Sequence, residues 1–298
     1  MSQFSDYLNY LSLEKKCSPH TVLAYTKDLE SFAAFCSNEF DSEEIKDCVY
    51  PQIRNWIVEL LEEKVSNRTV NRKIASLKSY YKFLLKVELI KVSPLVKHKA
   101  LKVSKKIQIP FSVNEMEKVL EDVWFEDSYE GERDKFMIEL FYATGIRKAE
   151  LIGLTLKDVD LAVKTIKVLG KRNKERIIPL TTVLIDSLKR YLKVREGLLV
   201  EIEIDSLFLT KKGAKIYDSL VYRVINLYFS RASSKVKKSP HVLRHTFATH
   251  LLNEGADLNA VKELLGHTSL AATQIYVHSS MAKLKEVYRK SHPRNVKT

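Results

Sequence analysis

Residues Ser239–Ser280 read SPHVLRHTFATHLLNEGADLNAVKELLGHTSLAATQIYVHSS, and the rest of the chain is organised around this stretch. Ser239 can cap a helix and Pro240 suits its first turn, while Leu243, Phe247 and Leu251 recur every four residues until Gly255 stops the run. That pattern leaves the other face polar. At about 100° per residue, His241, Arg244 and His245 fall within roughly a third of the circumference at the N-terminal end. Backbone N–H groups, the positive end of the helix dipole and a guanidinium converge there, an arrangement that suits a phosphate. Asp257 starts a second helix that Gly266 ends, and His267 follows at once. Thr268 or Ser269 can cap a third short helix, which carries Tyr276.

The chain around this stretch has 298 residues, enough for two domains that each bury a core. A composition of 45% hydrophobic and 29% charged residues is that of a globular protein. The net charge of +13, with a pI near 9.4, favours a polyanionic partner, and nucleic acid is the leading candidate. No apolar run approaches the ~18 residues of a spanning helix, and no signal-peptide pattern opens the chain, so a cytoplasmic protein with no membrane partner is expected. Cys17, Cys36 and Cys48 are in no metal-ligand spacing and read as reduced structural thiols.

The segment from Met1 to about residue 95 reads as helices only. Phe4, Tyr7, Leu8 and Leu11 keep helical spacing, and Ser18-Pro19 opens a helix carrying Val22, Tyr25, Leu29 and Phe32. From Asn67 or Thr69 a long helix places Val70, Ile74, Leu77, Tyr81 and Leu84 on one face. Its other face is basic: Arg68, Arg72, Lys73, Lys78, Lys82 and Lys86 follow the helical repeat and could line a duplex backbone. Residues 96–109, dense in lysine and bounded by Pro94 and Pro110, read as a basic linker.

The second domain, 110–298, starts with a helix capped at Ser112 and continues with a buried helix from Asp134 to Thr144 that Gly145 breaks. IRKAELIGL then restarts as a short helix with Arg147 in its first turn. Thr165–Val168 and Arg176–Ile178 read as two strands joined by a turn with Lys171 at its tip. Leu184, Ile185, Leu188 and Leu192 share a helix face, Leu207–Leu209 reads as a brief strand, and a helix runs from about Ser219 to Phe229. The basic loop SSKVKKS leads back to the opening stretch, and its role is not legible.

ATGIRKAEL, GKRNKERIIPL, SPHVLRHTFATHLL and LLGHTSLAATQIYVH resemble, in order and spacing, the signature boxes of tyrosine site-specific recombinases. SPHTVLAY and RTVNRKIASLKSYYKFLL resemble the N-terminal half of the Xer subgroup, so the resemblance covers nearly the whole chain. It implies a mainly α, two-domain protein: a helical, SAM-like core-binding domain and a mostly helical catalytic domain with a small antiparallel sheet, the DNA breaking-rejoining fold. It implies an enzyme that cuts and rejoins DNA through a 3′-phosphotyrosine and a Holliday junction, as a homo- or heterotetramer on two double-stranded recombination sites. A second Xer recombinase and a DNA translocase are the partners the family suggests, and chromosome-dimer resolution is the expected role.

The resemblance also assigns roles that chemistry makes intelligible. Breaking a phosphodiester without metal or cofactor calls for a nucleophile, cationic donors and an acid for the leaving oxygen. Tyr276 takes the position of the nucleophile; with an ordinary pKa of about 10, it needs a base or a cationic field. Arg147 and Arg244 would clamp the phosphate, with Glu150, three residues after Arg147, orienting it. Lys171 matches the general acid, and Arg172, Lys174 and Arg176 crowd it with charge that lowers an ammonium pKa. His241 takes the place of a general base and His267 that of a phosphate donor, while His245, His250 and His278 read as structural. A helix with Met281, Leu284, Val287 and Tyr288 on one strip would dock on a neighbouring protomer. Ala272-Thr273 and Val277 depart from the family pattern beside the nucleophile and lose hydroxyls.

Two rivals carry less. His241 and His245 have the spacing of a zinc-binding HExxH helix, but Val242 stands where the glutamate belongs and Arg244 repels a cation. A non-cutting DNA-binding protein of the same fold would not need every catalytic position filled. Within the enzyme class, a mobile-element integrase or transposase is the alternative; such integrases often carry an additional N-terminal arm-binding domain.

Overall fold

The computed structural model describes residues 4–41, 44–104, 108–170, 174–198, 204–235 and 237–266. They form two units that divide between Lys106 and Ile107. No helix among the described residues is long and apolar enough to cross a membrane.

The first unit is all helix. Helix α1 (Ser5–Asn9) runs into one π-helical turn, α2 spans Pro19–Phe40, α3 Tyr50–Glu62 and α4 Asn67–Lys86. Local chemistry sets the boundaries. The Ser18 hydroxyl accepts from Thr21 N–H with Pro19 in the first turn, and Asp41 closes α2 in the left-handed region. Ser66 caps α4 through Thr69 N–H, and the helix begins at Asn67, the earlier of the two starts the sequence allows. α3 was not foreseen from the sequence; it contributes Ile53, Trp56, Ile57 and Leu60 to the core beside Phe32, Val70, Leu77 and Tyr81. Burying each of these side chains contributes about 1.5–3 kcal/mol. Cys36 and Cys48 are buried thiols 3.4 Å apart, and their mutual hydrogen bond and burial push the Cys36 pKa up. Residues at the start of the expected linker are held by this unit. Asn71 bonds both Leu101 N–H and Leu101 C=O, and Asn67 donates to Lys102 C=O.

The second unit is built on α6 (Tyr129–Thr144), nearly every residue of which is buried and which packs against both α8 (Thr182–Glu196) and α10 (Pro240–Asn253). The other helices are α5 (Val113–Val119), α7 (Lys148–Gly153), α9 (Asp218–Ala232) and α11 (Leu258–Leu265). A three-stranded antiparallel sheet, β1 (Val159–Asp160), β2 (Thr165–Leu169) and β3 (Glu175–Pro179), pairs Val168 with Arg176. Leu207–Leu209 is not a regular strand but a buried connector: isolated bridges join Ser206 to Thr155 and Leu209 to Lys215, and Ile216 N–H donates to Phe208 C=O. Ser239 does not cap α10 with its side chain, as the first turn uses its carbonyl instead, accepting from Val242 and Leu243 N–H.

Candidate active site

α10 departs from the amphipathic helix expected of it. Leu243, Phe247 and Leu251 are buried, but so are Val242, Arg244, Thr246 and His250. The reason is that two sides of α10 have partners. Thr246 Oγ1 accepts from Phe111 N–H at 2.9 Å, His250 Nε2 meets Phe111 C=O at 2.9 Å, and His250 Nδ1 meets the Tyr142 hydroxyl at 2.9 Å. His250 is thereby a structural histidine, and burial pushes its pKa down. His241 and His245 remain exposed while Arg244 turns inward.

Where Arg244 goes is decided by two left-handed turns. Gly145 ends α6 with φ +60°, a conformation that favours glycine, and a Cβ there would stand 2.3 Å from the Phe247 ring. Its carbonyl accepts from Arg244 Nη1 at 2.7 Å. Gly266 ends α11 with φ +63°, and the carbonyls at that end of the helix meet side-chain donors. Three guanidiniums take them in succession. Arg176 Nε donates to Leu264 C=O at 2.8 Å, Arg244 Nη2 to Leu265 C=O at 2.6 Å, and Arg147 Nη2 to Gly266 C=O at 3.4 Å. The negative end of the helix dipole adds to their attraction.

Glu150 holds the group together. Arg147 lies at the N-cap of α7 rather than inside its first turn, so its own N–H can bond Glu150 Oε2 at 2.8 Å while its Nη1 reaches Oε1 at 2.7 Å. Arg176 binds the same carboxylate with both Nη atoms, at 3.0 and 2.8 Å. Only 4% of the Glu150 side chain is exposed. Burial pushes its pKa up, but the bonds from Arg176 and Arg147 outweigh this and hold it below the usual carboxylate range. Arg244 is pushed down to about 10 by burial and by the charge of Arg147, and stays cationic at neutral pH. His241 is lowered by burial and then by Lys148, Lys237, Arg244 and Arg147, so its imidazole is neutral at pH 7 and can accept a proton.

The structure thus brings Arg147, Glu150, Arg244 and His241 to one place and adds Arg176, which sequence reasoning treated only as a neighbour of Lys171. Its signal was faint: an arginine in the strand ERIIP, with nothing in local spacing to connect it to Glu150. Lys171, Arg172, His267, Tyr276, His278 and the strip from Met281 to Tyr288 lie outside the described residues. Lys174 is exposed, and its carbonyl closes the turn by accepting from Gly170 N–H at 2.7 Å.

The basic face of α4 is divided in use. Arg68 and Lys82 are exposed, and Lys78 reaches His98 C=O at 3.4 Å. Arg72 forks onto buried Asp28 while keeping 47% of its side chain exposed. Lys73 is drawn inward to Ser31, Asp28 and the Trp56 ring. The SSKVKKS loop has an anchor: Ser233 and Lys235 both bind Glu115 on α5. Burial raises the Glu115 carboxyl, but Lys235, Ser112 N–H and Ser233 more than offset it and hold the pKa at about 2.

Clustered guanidiniums around one carboxylate, with a neutral imidazole on the same helix as Arg244, make a cationic centre whose chemistry suits an anion. The chain belongs to the phage integrase family, the tyrosine recombinases: residues 111–283 match the phage integrase family and residues 4–88 its N-terminal SAM-like domain. It is 40% identical to the tyrosine recombinase XerC of Oceanobacillus iheyensis, over 97% of this chain and 95% of that one. The XerC of Thermodesulfovibrio yellowstonii is also 40% identical, with the same shares covered. Among solved structures, XerH site-specific recombinase bound to its difH substrate after cleavage matches with a TM-score of 0.70 and 25% identity, over 97% of this chain and 84% of that one.

Proposed function

We propose that this enzyme recombines duplex DNA at a specific site by transesterification through Tyr276. The observation that carries the reading is the convergence of Arg147 and Arg244, each oriented by buried partners, beside a neutral His241. Guanidiniums stabilise charge developing on the non-bridging oxygens of the scissile phosphate, and their geometry is set before DNA arrives. His241 takes the proton of the Tyr276 hydroxyl as that oxygen attacks phosphorus. Lys171 gives a proton to the departing 5′ oxygen, and His267 donates to the phosphate. The 3′-phosphotyrosine keeps the energy of the broken bond for the reverse attack by a 5′ hydroxyl, so the cycle needs no nucleotide hydrolysis.

Arg68, Arg72, Lys78 and Lys82 meet the duplex backbone from α4, with Lys73 bracing that helix through Asp28. Arg172 and Lys174 flank the general acid on the β2–β3 turn. Four protomers on two sites exchange strands in pairs, and the XerC relatives favour chromosome-dimer resolution in the cytoplasm, with a second Xer recombinase and a DNA translocase as candidate partners. The test is a nicked suicide duplex carrying chromosomal recombination sites, run with EDTA on denaturing gels. A covalent adduct that survives EDTA and is lost in Tyr276→Phe is the expected result. Tight binding to such sites with no adduct would instead indicate a protein that binds without cutting.

A further inference from the structure

Arg176 is a densely bonded side chain of the second unit that takes no part in the cleavage steps above. It sits on β3, paired with Val168 on β2, one pair in from the end of the ladder that Lys171 follows in sequence. Its two Nη atoms occupy both oxygens of Glu150, and its Nε–H takes the carbonyl of Leu264 at 2.8 Å. All five N–H bonds of a guanidinium point outward in one plane, so this pairing fixes the carboxylate in rotation as well as in position. Glu150 carries that constraint to Arg147 through two bonds, one from the backbone N–H and one from Nη1. Without Arg176, the hydrogen bonds of the Glu150 carboxylate among the described residues would come from Arg147 alone, leaving it freer to turn.

We infer that Arg176 is a positioning residue for strand cleavage: it locks Glu150 so that Arg147 meets the scissile phosphate at a fixed angle, and it ties the Val168–Arg176 end of the β2–β3 ladder to the end of α11. The inference rests on the recombinase reading above. It gives the site a division of labour, in which Arg147 and Arg244 touch phosphate and Arg176 touches neither DNA nor the reacting atoms. A second consequence concerns α11. Its last carbonyls are shared among Arg176, Arg244 and Arg147, so the point where the chain departs toward His267 is set by the same residues that set the clamp.

The experiment is single-turnover cleavage of the nicked suicide duplex by the full chain at saturating protein, reading rate constant and reacting fraction separately, with DNA affinity and melting temperature alongside. Arg176→Gln should slow the rate constant by about a hundredfold, the loss that an ångström of misplacement can cause, with DNA affinity unchanged. Arg176→Lys, which keeps the charge but not the fork, should fall between it and the wild type and carries the test if the glutamine variant does not fold. Combined with Glu150→Gln, Arg176→Gln should lose no more than the worse single variant, because both act through one contact. A wild-type rate constant with only a smaller reacting fraction, or losses that multiply in the double variant, would overturn the assignment and leave Arg176 a packing residue. Absence of any Tyr276-dependent adduct from the wild-type chain would overturn the recombinase reading itself, and this inference with it.

Discussion

Each unit of this protein has a buried carboxylate shared by more than one cation, Asp28 in the first and Glu150 in the second, and the two are built to different ends. In the first, Asp28 takes the fork of Arg72, a hydrogen bond from Ser76 at 2.7 Å and a more distant Lys73. Arg72 is half in solvent, so water shares its charge. In the second, Glu150 faces Arg147 and Arg176 directly and Arg244 nearby, and these arginines are mostly withdrawn from solvent. One carboxylate cannot balance three guanidiniums, and helix-end carbonyls supply only partial charge. The first cluster also holds one cation in excess, but its half-exposed Arg72 shares that charge with water. The second retains a surplus of positive charge in a place of low dielectric, where an anion gains most. The difference is that the second cluster withholds its surplus charge from water, since burial and pairing are common to both.

The strongest way to break this comparison is Arg244→Gln. Losing one preorganised donor to the phosphate should slow cleavage by about 10²- to 10³-fold, with a much smaller change in DNA affinity. Equal losses in rate and affinity, measured on the suicide duplex, would make Arg244 a general DNA contact.

Neutralising the two carboxylates sharpens it. Glu150→Gln leaves buried arginines uncompensated and should cost about 3–5 kcal/mol of stability together with cleavage. Asp28→Asn should cost less, about 1–3 kcal/mol, because Arg72 can turn to water, and should leave the cleavage rate of folded protein intact. Denaturant melts beside single-turnover rates compare them; a cleavage defect in Asp28→Asn as large as that in Glu150→Gln would erase the distinction.

The surplus charge has a pH signature. His241 is held below its ordinary value of 6.5, so the folded state resists a proton that the unfolded chain accepts. Stability and cleavage should therefore both persist at neutral pH and decline as pH falls below 6.5 toward the lowered folded value, with the acid limb of the rate profile missing in His241→Gln. A limb centred above 6.5 would contradict the site's electrostatics. The smallest effect belongs to Glu115. With a folded pKa of about 2 against 4.5 unfolded, its contribution is present above 4.5 and disappears as pH falls through that interval. Glu115→Gln should cost about 1 kcal/mol at neutral pH and flatten the acid end of the stability curve, read by thermal melts across pH.

Much of this was legible in the chain. The caps at Ser18, Ser112 and Asp257 and the stops at Gly145 and Gly266 are local events, decided within a turn by which side chain can reach an unpaired N–H or tolerate positive φ. Arg147 and Glu150 sit three residues apart, and their pairing followed from that spacing. Local pattern failed where burial was decided elsewhere. The apolar run Leu207–Leu209 looked like a strand because a buried connector has the same composition. α10 looked two-faced, yet Phe111 and Tyr142 bury a further side of it through Thr246 and His250.

By itself the sequence determined most of the helical segments, several of their ends and the basic balance of the chain, and its family resemblance picked out Arg147, Glu150, His241 and Arg244 among the candidates. Only the tertiary structure decided that Arg176 closes on Glu150 across 26 residues, that Asp28 claims Arg72 across 44, and that the end of α11 gathers three arginines. The physical reason is range. Caps and periodic faces are fixed by interactions within a turn or two, whereas the partner of a buried charge is whatever packing places beside it, and the desolvation cost of a wrong partner selects among folds rather than among local conformations.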